Sequence, residues 1–174
     1  MSTGPTKWVS EKVCSKATLK STIQKVDWAT LENHILECTF RYEEELDRTQ
    51  IVYNDEFGHA IIIQLSPDYH HVRKWPDQDL LHRFEEFPDA SGSSLKPGEL
   101  YTVTVEMCVS EFLIRINDND FLFGEIYRAG RAKHRIAVSV EGGQSTLESI
   151  LLWEGTPRSD WTKNRESWIA RQQD

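Results

Sequence analysis

From Gly98 to Trp153 the chain alternates apolar and polar residues almost without a break, and few architectures accept such a run. GELYTVTVEMCVSEFLIRINDNDFLFGEIYRAG and then KHRIAVSVEGGQSTLESILLW carry the pattern. Tyr101, Val103, Val105, Met107 and Val109 fall on one side of the first strand, with Thr102, Thr104 and Glu106 on the other. A period of two sends one side into a core and the other toward water, as an antiparallel sheet does. Asn117-Asp118-Asn119-Asp120 interrupts the run with residues that tolerate the left-handed conformation of a tight hairpin. The expectation is a string of hairpins folded into an all-β sandwich. Sandwiches host many activities, so architecture constrains function only loosely.

Shorter segments extend this reading. HILECTFRY sets Leu36, Cys38, Phe40 and Tyr42 on one face, and the charged EEELD turns the chain into TQIVYND. A turn at Glu56-Phe57-Gly58 leads to HAIIIQLS, whose unbroken apolar run predicts a strand covered on both faces. YHHVRKW follows as another short strand. Upstream, residues to about 17 read as irregular, with one weak strand around Thr18–Val26. Between Pro76 and Pro97 the rhythm fails. Leu80, Leu81, Phe84 and Phe87 lie there at helical spacing and predict a short helix or ordered loop. A terminal helix is expected over 158–172, with Ser159 as N-cap and Trp161, Arg165, Trp168 and Ile169 along one side. With no internal repeat, residues 1–174 read as one domain.

Composition excludes some partners. The chain has 28 acidic and 20 basic residues, for a net charge of −8. That balance argues against nucleic acid or an anionic membrane as the main partner. No apolar stretch approaches a membrane span, so no membrane insertion is expected, and MSTGPTKWVSEKV lacks the apolar run of a signal peptide. Three cysteines, Cys14, Cys38 and Cys108, form neither a disulfide framework nor a zinc pattern. Cys38 and Cys108 sit among apolar strand positions, as small core residues do.

Two groups of polar residues invite a chemical reading. Asp55, Glu56, His59, His70, His71, Arg73, Lys74 and Trp75 combine carboxylate, imidazole, cation and a large aromatic within a short span. Trp75 offers a stacking surface for a sugar ring, and Asp55, His59 and Arg73 offer hydrogen bonds to its hydroxyls. The other reading is a set of solvated strand and turn residues. Asn117–Asp120 carries four oxygen-bearing side chains, but so short a loop does not wrap calcium, which takes six to eight oxygen ligands. A plain hairpin accounts for it. No cysteine–histidine set has zinc spacing, and neither a phosphate loop nor a Gly-x-Ser-x-Gly elbow is present. No metal and no cofactor is expected. The tryptophans other than Trp75 read as packing residues.

HILECTFRY, YNDEFGHAIIIQLSPD, LKPGELYTVTVEM and LLWEGTPRSDWTKNRESW together resemble the concanavalin-A-like jelly-roll domains related to the bacterial 3-keto-disaccharide hydrolase family. They are most similar to a group of such domains common in planctomycetes, over most of the chain from about Leu31. The resemblance implies a two-sheet jelly roll whose concave face often meets carbohydrate, usually in an exported protein. It singles out His59, because the Gly-His pair after the acidic turn lies in a similar stretch. Jelly-roll glucanases of the laminarinase type set a nucleophile, a helper and an acid along one strand. Glu45 and Asp47 have that offset, but the run ends in Gln50, which cannot act as an acid. The leading expectation is therefore a carbohydrate-binding domain, with Asp55, His59, Arg73 and Trp75 as ligand contacts. A glycan-processing hydrolase of (keto-)disaccharides and a structural or protein-interaction sandwich are the alternatives.

Overall fold

A computed structural model describes residues 10–14, 17–20, 24–31, 33–42, 48–55, 58–67, 70–74, 85–86, 95–117, 119–125, 133–141, 144–155 and 159–171. The strands are β1 (Ser10–Cys14), β2 (Ala17–Lys20), β3 (Gln24–Leu31), β4 (His34–Tyr42), β5 (Arg48–Asp55), β6 (Gly58–Leu65), β7 (His70–Lys74) and β8 (Glu85–Glu86). They continue as β9 (Leu100–Cys108), β10 (Glu111–Ile116), β11 (Asn119–Glu125), β12 (Lys133–Glu141) and β13 (Gln144–Glu154), and the helix α1 (Trp161–Arg171) closes the series. One seven-stranded sheet has the order β1-β13-β4-β9-β10-β11, with β2 also on β13, and a six-stranded sheet runs β3-β12-β5-β6-β7-β8. Every strand pairing is antiparallel. The fold is a jelly-roll sandwich of two antiparallel sheets with a C-terminal helix.

The alternation seen in the sequence becomes the core. Leu36, Cys38 and Phe40 of β4 and Tyr101, Val103, Val105 and Met107 of β9 meet Ile51, Tyr53, Ile61, Ile63 and Ile136 of the other sheet. Each large apolar side chain buried there stabilises the fold by about 1.5–3 kcal/mol relative to exposure. His34 enters the same layer and stacks on Tyr53 across the sandwich, with ring centroids 5.7 Å apart.

Turn chemistry fixes the register. Pro97 and Gly98 occupy the centre of a turn closed by the Glu99 N–H donating to the Lys96 carbonyl, and Gly98 takes the positive φ of 82° that such a turn requires. In the β10–β11 hairpin, Ile116 pairs with Asn119, and Asn117 adopts φ 48°. The Asn117 side-chain oxygen accepts the Thr102 N–H at 2.9 Å, and the Asn117 N–H donates to the Thr102 carbonyl at 2.9 Å. That oxygen therefore ties the turn to β9.

Several expectations need correction. Val109 does not extend the buried row of β9. The strand stops at Cys108, and Val109 sits in the two-residue turn before β10, 54% exposed with φ 53°. The opening segment is more ordered than its polar composition suggests. Ser10–Cys14 forms β1, because its hydrogen bonds come from the edge of β13 rather than from its own pattern. The single strand expected around Thr18–Val26 is two. β2 lies on β13 and β3 on β12, so the chain crosses between sheets after Lys20. The isoleucine run is covered on both sides, unequally: Ile61 and Ile63 are core, while on the outward side Ile62 is half-buried and its row neighbours Val52 and Gln64 are buried.

α1 starts later than expected. Asp160, not Ser159, supplies the carbonyl that accepts the Asn164 N–H, so Asp160 is the N-cap. Trp161 and Trp168 are buried against Phe123 and Leu113, on the outer face of the seven-stranded sheet. Arg165 reaches Glu111 at 2.8 Å, whereas Ile169 is 37% exposed and does not join that side. The helical spacing of Leu80, Leu81, Phe84 and Phe87 lies outside the described residues.

Candidate functional site

The expected ligand residues can be placed by the backbone. Asp55 ends β5 and pairs with Gly58, the first residue of β6; His59 follows and pairs with Asn54. Between Tyr53↔Ile61 and Asn54↔His59 the register shifts, leaving Ala60 as an extra residue at the hairpin end. Arg73 lies on β7, opposite Ile62 on one side and Glu86 of β8 on the other. β7 runs back against β6, so its C-terminal end meets the N-terminal end of β6. Asp55, His59 and Arg73, up to 18 positions apart in sequence, thus come to one end of one sheet. Trp75 follows Lys74 immediately and lies outside the described residues, as do Glu56, Glu45 and Asp47. His70 and His71 begin β7, toward the opposite end.

The described side chains on the outer face of this sheet form rows across the strands. Residues directly opposite each other share a face. Ala137, Val52 and Ile62 make an aliphatic row. Ser139, Gln50 and Gln64 make a polar row beside it. Gln50 Nε2 donates to Gln64 Oε1 at 3.4 Å; Gln64 is buried and Gln50 half-buried. The register continues both rows to positions 73 and 71 of β7. At the border, Arg48 pairs with Glu141. Glu141 is the one carboxylate among the described side chains of this face.

Displaced ionisations lie elsewhere. Burial pushes the Cys38 thiol up to about 12, with Glu37 adding to the effect. Tyr53 is held well above the ordinary tyrosine range by burial and then by Cys38, and its hydroxyl is buried with no hydrogen-bond partner among the described residues. Both groups face the core and stay neutral there. Cys108 is raised by burial and by Glu111, beneath α1. Among the described residues, the six-stranded face thus presents the half-buried Gln50, Ser139 and Ile62, groups that bind without proton transfer. Among the described residues no three His, Cys, Asp or Glu side chains group as metal ligands would.

Sequence reasoning missed the amide row. Gln50 entered only as the residue that spoils a carboxylate motif, and Gln64 closed an apolar run without comment. The signal was present in the alternation of TQIVYND and HAIIIQLS, which sets both glutamines on the side away from the isoleucines. Only the register shows that they are neighbours.

No family model and no curated protein sequence matches the chain. Among solved structures it is similar to a tetrameric galectin from the ball sponge Cinachyrella, with a TM-score of 0.63, 12% identity and coverage of 74% of this chain and 97% of that one. A Caenorhabditis elegans galectin gives a TM-score of 0.60 at 9% identity, covering 79% and 95%. The β-fructofuranosidase of Schwanniomyces occidentalis, solved with fructosyl-erythritol, gives 0.64 at 13% identity; the match covers 85% of this chain and 33% of the enzyme. At such identities the likeness is one of fold.

Proposed function

We propose that the chain is a carbohydrate-binding jelly-roll domain that takes saccharide on the outer face of its six-stranded sheet, at the end where β5, β6 and β7 meet, with His59 and Arg73 on that face, Asp55 at the adjoining hairpin end and Trp75 as the stacking ring. The observation that carries the reading is the meeting of the β5, β6 and β7 ends, where the strand positions of Asp55, His59 and Arg73 gather from separate parts of the sequence. Supporting it, the neighbours in fold include galectins and a fructofuranosidase solved with a fructosyl ligand. A sugar offers C–H faces and hydroxyl edges, for which an indole ring and a few fixed polar groups are suitable partners.

Binding stands ahead of catalysis. Glycoside hydrolysis commonly uses two carboxyl groups flanking the bond. The described side chains of this face supply Glu141 alone, already paired with Arg48. A hydrolase of 3-keto-disaccharides therefore rests on the sequence resemblance only.

A glycan array followed by titration tests the proposal. Trp75→Ala should weaken binding of the best glycan about 10-fold, a loss of about 1.4 kcal/mol that is typical of an aromatic contact. His59→Ala should also weaken it. Equal affinity of both variants and wild type, with folding intact, would move the site elsewhere. Turnover of any arrayed glycan would favour the enzyme.

A further inference from the structure

We infer that the site continues along β5 and β6 to the amide of Gln50, and that its ligand is an uncharged saccharide of several units. This rests on the saccharide reading above and adds the class and extent of the ligand. The argument begins with Gln50. It lies on a central strand of the six-stranded sheet, is half-buried, and makes one hydrogen bond, from Nε2 to Gln64. Its Oε1 acceptor and second N–H have no partner among the described residues. An amide sets a donor and an acceptor side by side, which is what neighbouring hydroxyls of a sugar ring require.

Gln64 makes this amide a built feature. It is only 1% exposed, and its Oε1 accepts the Gln50 N–H, so the pair restrains the Gln50 side chain before any ligand arrives. Restraint in the free state lowers the entropy lost on binding. Beside the amides, half-buried Ile62 offers aliphatic carbon to a C–H face, and Ser139 supplies a hydroxyl at the end of the polar row.

Charge and length follow from the same geometry. The one cation and one anion among the described side chains of this face, Arg48 and Glu141, neutralise each other. The described side chains on this part of the face leave no unpaired cation to select an anionic sugar. His59 stands opposite Asn54, four positions from Gln50 on β5, about 13 Å at ~3.3 Å per residue. A ligand touching both ends of that path is longer than a monosaccharide.

The experiment is calorimetric titration of the full chain with glucose, maltotetraose, cellotetraose, the fructan trisaccharide 1-kestose and tetragalacturonate. At least one neutral oligosaccharide should bind at least 10-fold more tightly than glucose and tetragalacturonate. Gln50→Leu, which keeps the volume and removes the amide, should weaken that binding at least 5-fold in a chain that remains folded at the titration temperature. Binding that His59→Ala weakens but Gln50→Leu leaves intact would overturn the extension and spare the saccharide reading. Preference for tetragalacturonate, or equal affinity for glucose and the oligomers, would do the same. No binding of any probe would sink both. Should Gln50→Leu melt early, Gln50→Glu replaces it; unchanged neutral binding there also overturns the inference.

Discussion

The two outer faces of the sandwich are built alike and finished differently. On the seven-stranded sheet the polar side chains are engaged with one another: Thr39 with Thr102, Arg115 with Glu106, and Glu111 with both the Trp161 indole N–H and Arg165. A helix lies over β10 and β11, held by Trp161 and Trp168 on Phe123. On the six-stranded sheet the described polar row is Ser139 and a pair of glutamines joined by one long hydrogen bond, beside the half-buried Ile62. One face is closed by its own side chains, and the other keeps hydrogen-bonding capacity in reserve. Where buried polar groups find internal partners they serve stability; where capacity is left over at a fixed position, it is available to a ligand.

The sharpest contrast is in stability. Trp161→Ala removes a buried indole and the Glu111 hydrogen bond together, and should cost about 3–5 kcal/mol in chemical denaturation, with loss of helical circular dichroism. A change below about 0.5 kcal/mol would mean that the helix is an ornament on that face and would erase the distinction. Saccharide binding should survive Trp161→Ala wherever the sheets remain folded, since α1 packs on the opposite side of the sandwich.

Alkaline pH tests what the faces share. The Cys38 thiol is protonated in the folded chain up to about pH 12, but ionises near its ordinary value of 9.0 when unfolded. Between those values the unfolded state holds fewer protons, so stability is complete below pH 9 and falls as pH rises toward 12. By pH 10.5 the loss from this thiol is about 2 kcal/mol, and Tyr53, also raised by burial, adds to it above its ordinary range. Cys38→Ala should flatten this slope; Gln50→Leu should not. A melting temperature level to pH 10.5 would show that water reaches the core thiol.

The smallest effect concerns the β9–β10 turn. Val109 holds a left-handed conformation that is costly for a β-branched residue, and its N–H is fixed by the Asn33 side chain at 2.9 Å. Val109→Gly should stabilise the chain by about 1 kcal/mol, after the entropy that glycine loses on folding is subtracted. A lower midpoint would assign the exposed valine a packing role that its position does not reveal.

Alternation made most of the fold legible. HILECTFRY is β4 to the residue, and the apolar side of β9 is buried from Tyr101 to Met107 because a period of two leaves it no other side. What stayed hidden depends on partners. SEKVC becomes a strand because β13 has an edge to fill, and Val109 leaves the buried row because a turn intervenes at a place the pattern does not mark. The site was legible as a segment, Asp55 to Trp75, and not as a surface. Neighbours across a sheet are set by register, and Ala60, the extra residue beside His59, shifts that register without altering composition.

The pairing of β13 has a consequence for how the protein is made. This strand, Gln144–Glu154, lies against β4 and also against β1 and β2, more than 100 positions earlier. β5, β6 and β7 are joined by short connections and can zip together as soon as they leave the ribosome. β4 has no such neighbour in time: its partners are β9 and β13, and until both emerge its two edges stand open. The sheet that carries the proposed ligand face therefore has its central hairpins early, while the closed sheet waits for the last strand. A chain arrested before Gln144 would leave β4 with one bare edge, and that edge is where a chaperone or an aggregating neighbour would find it first.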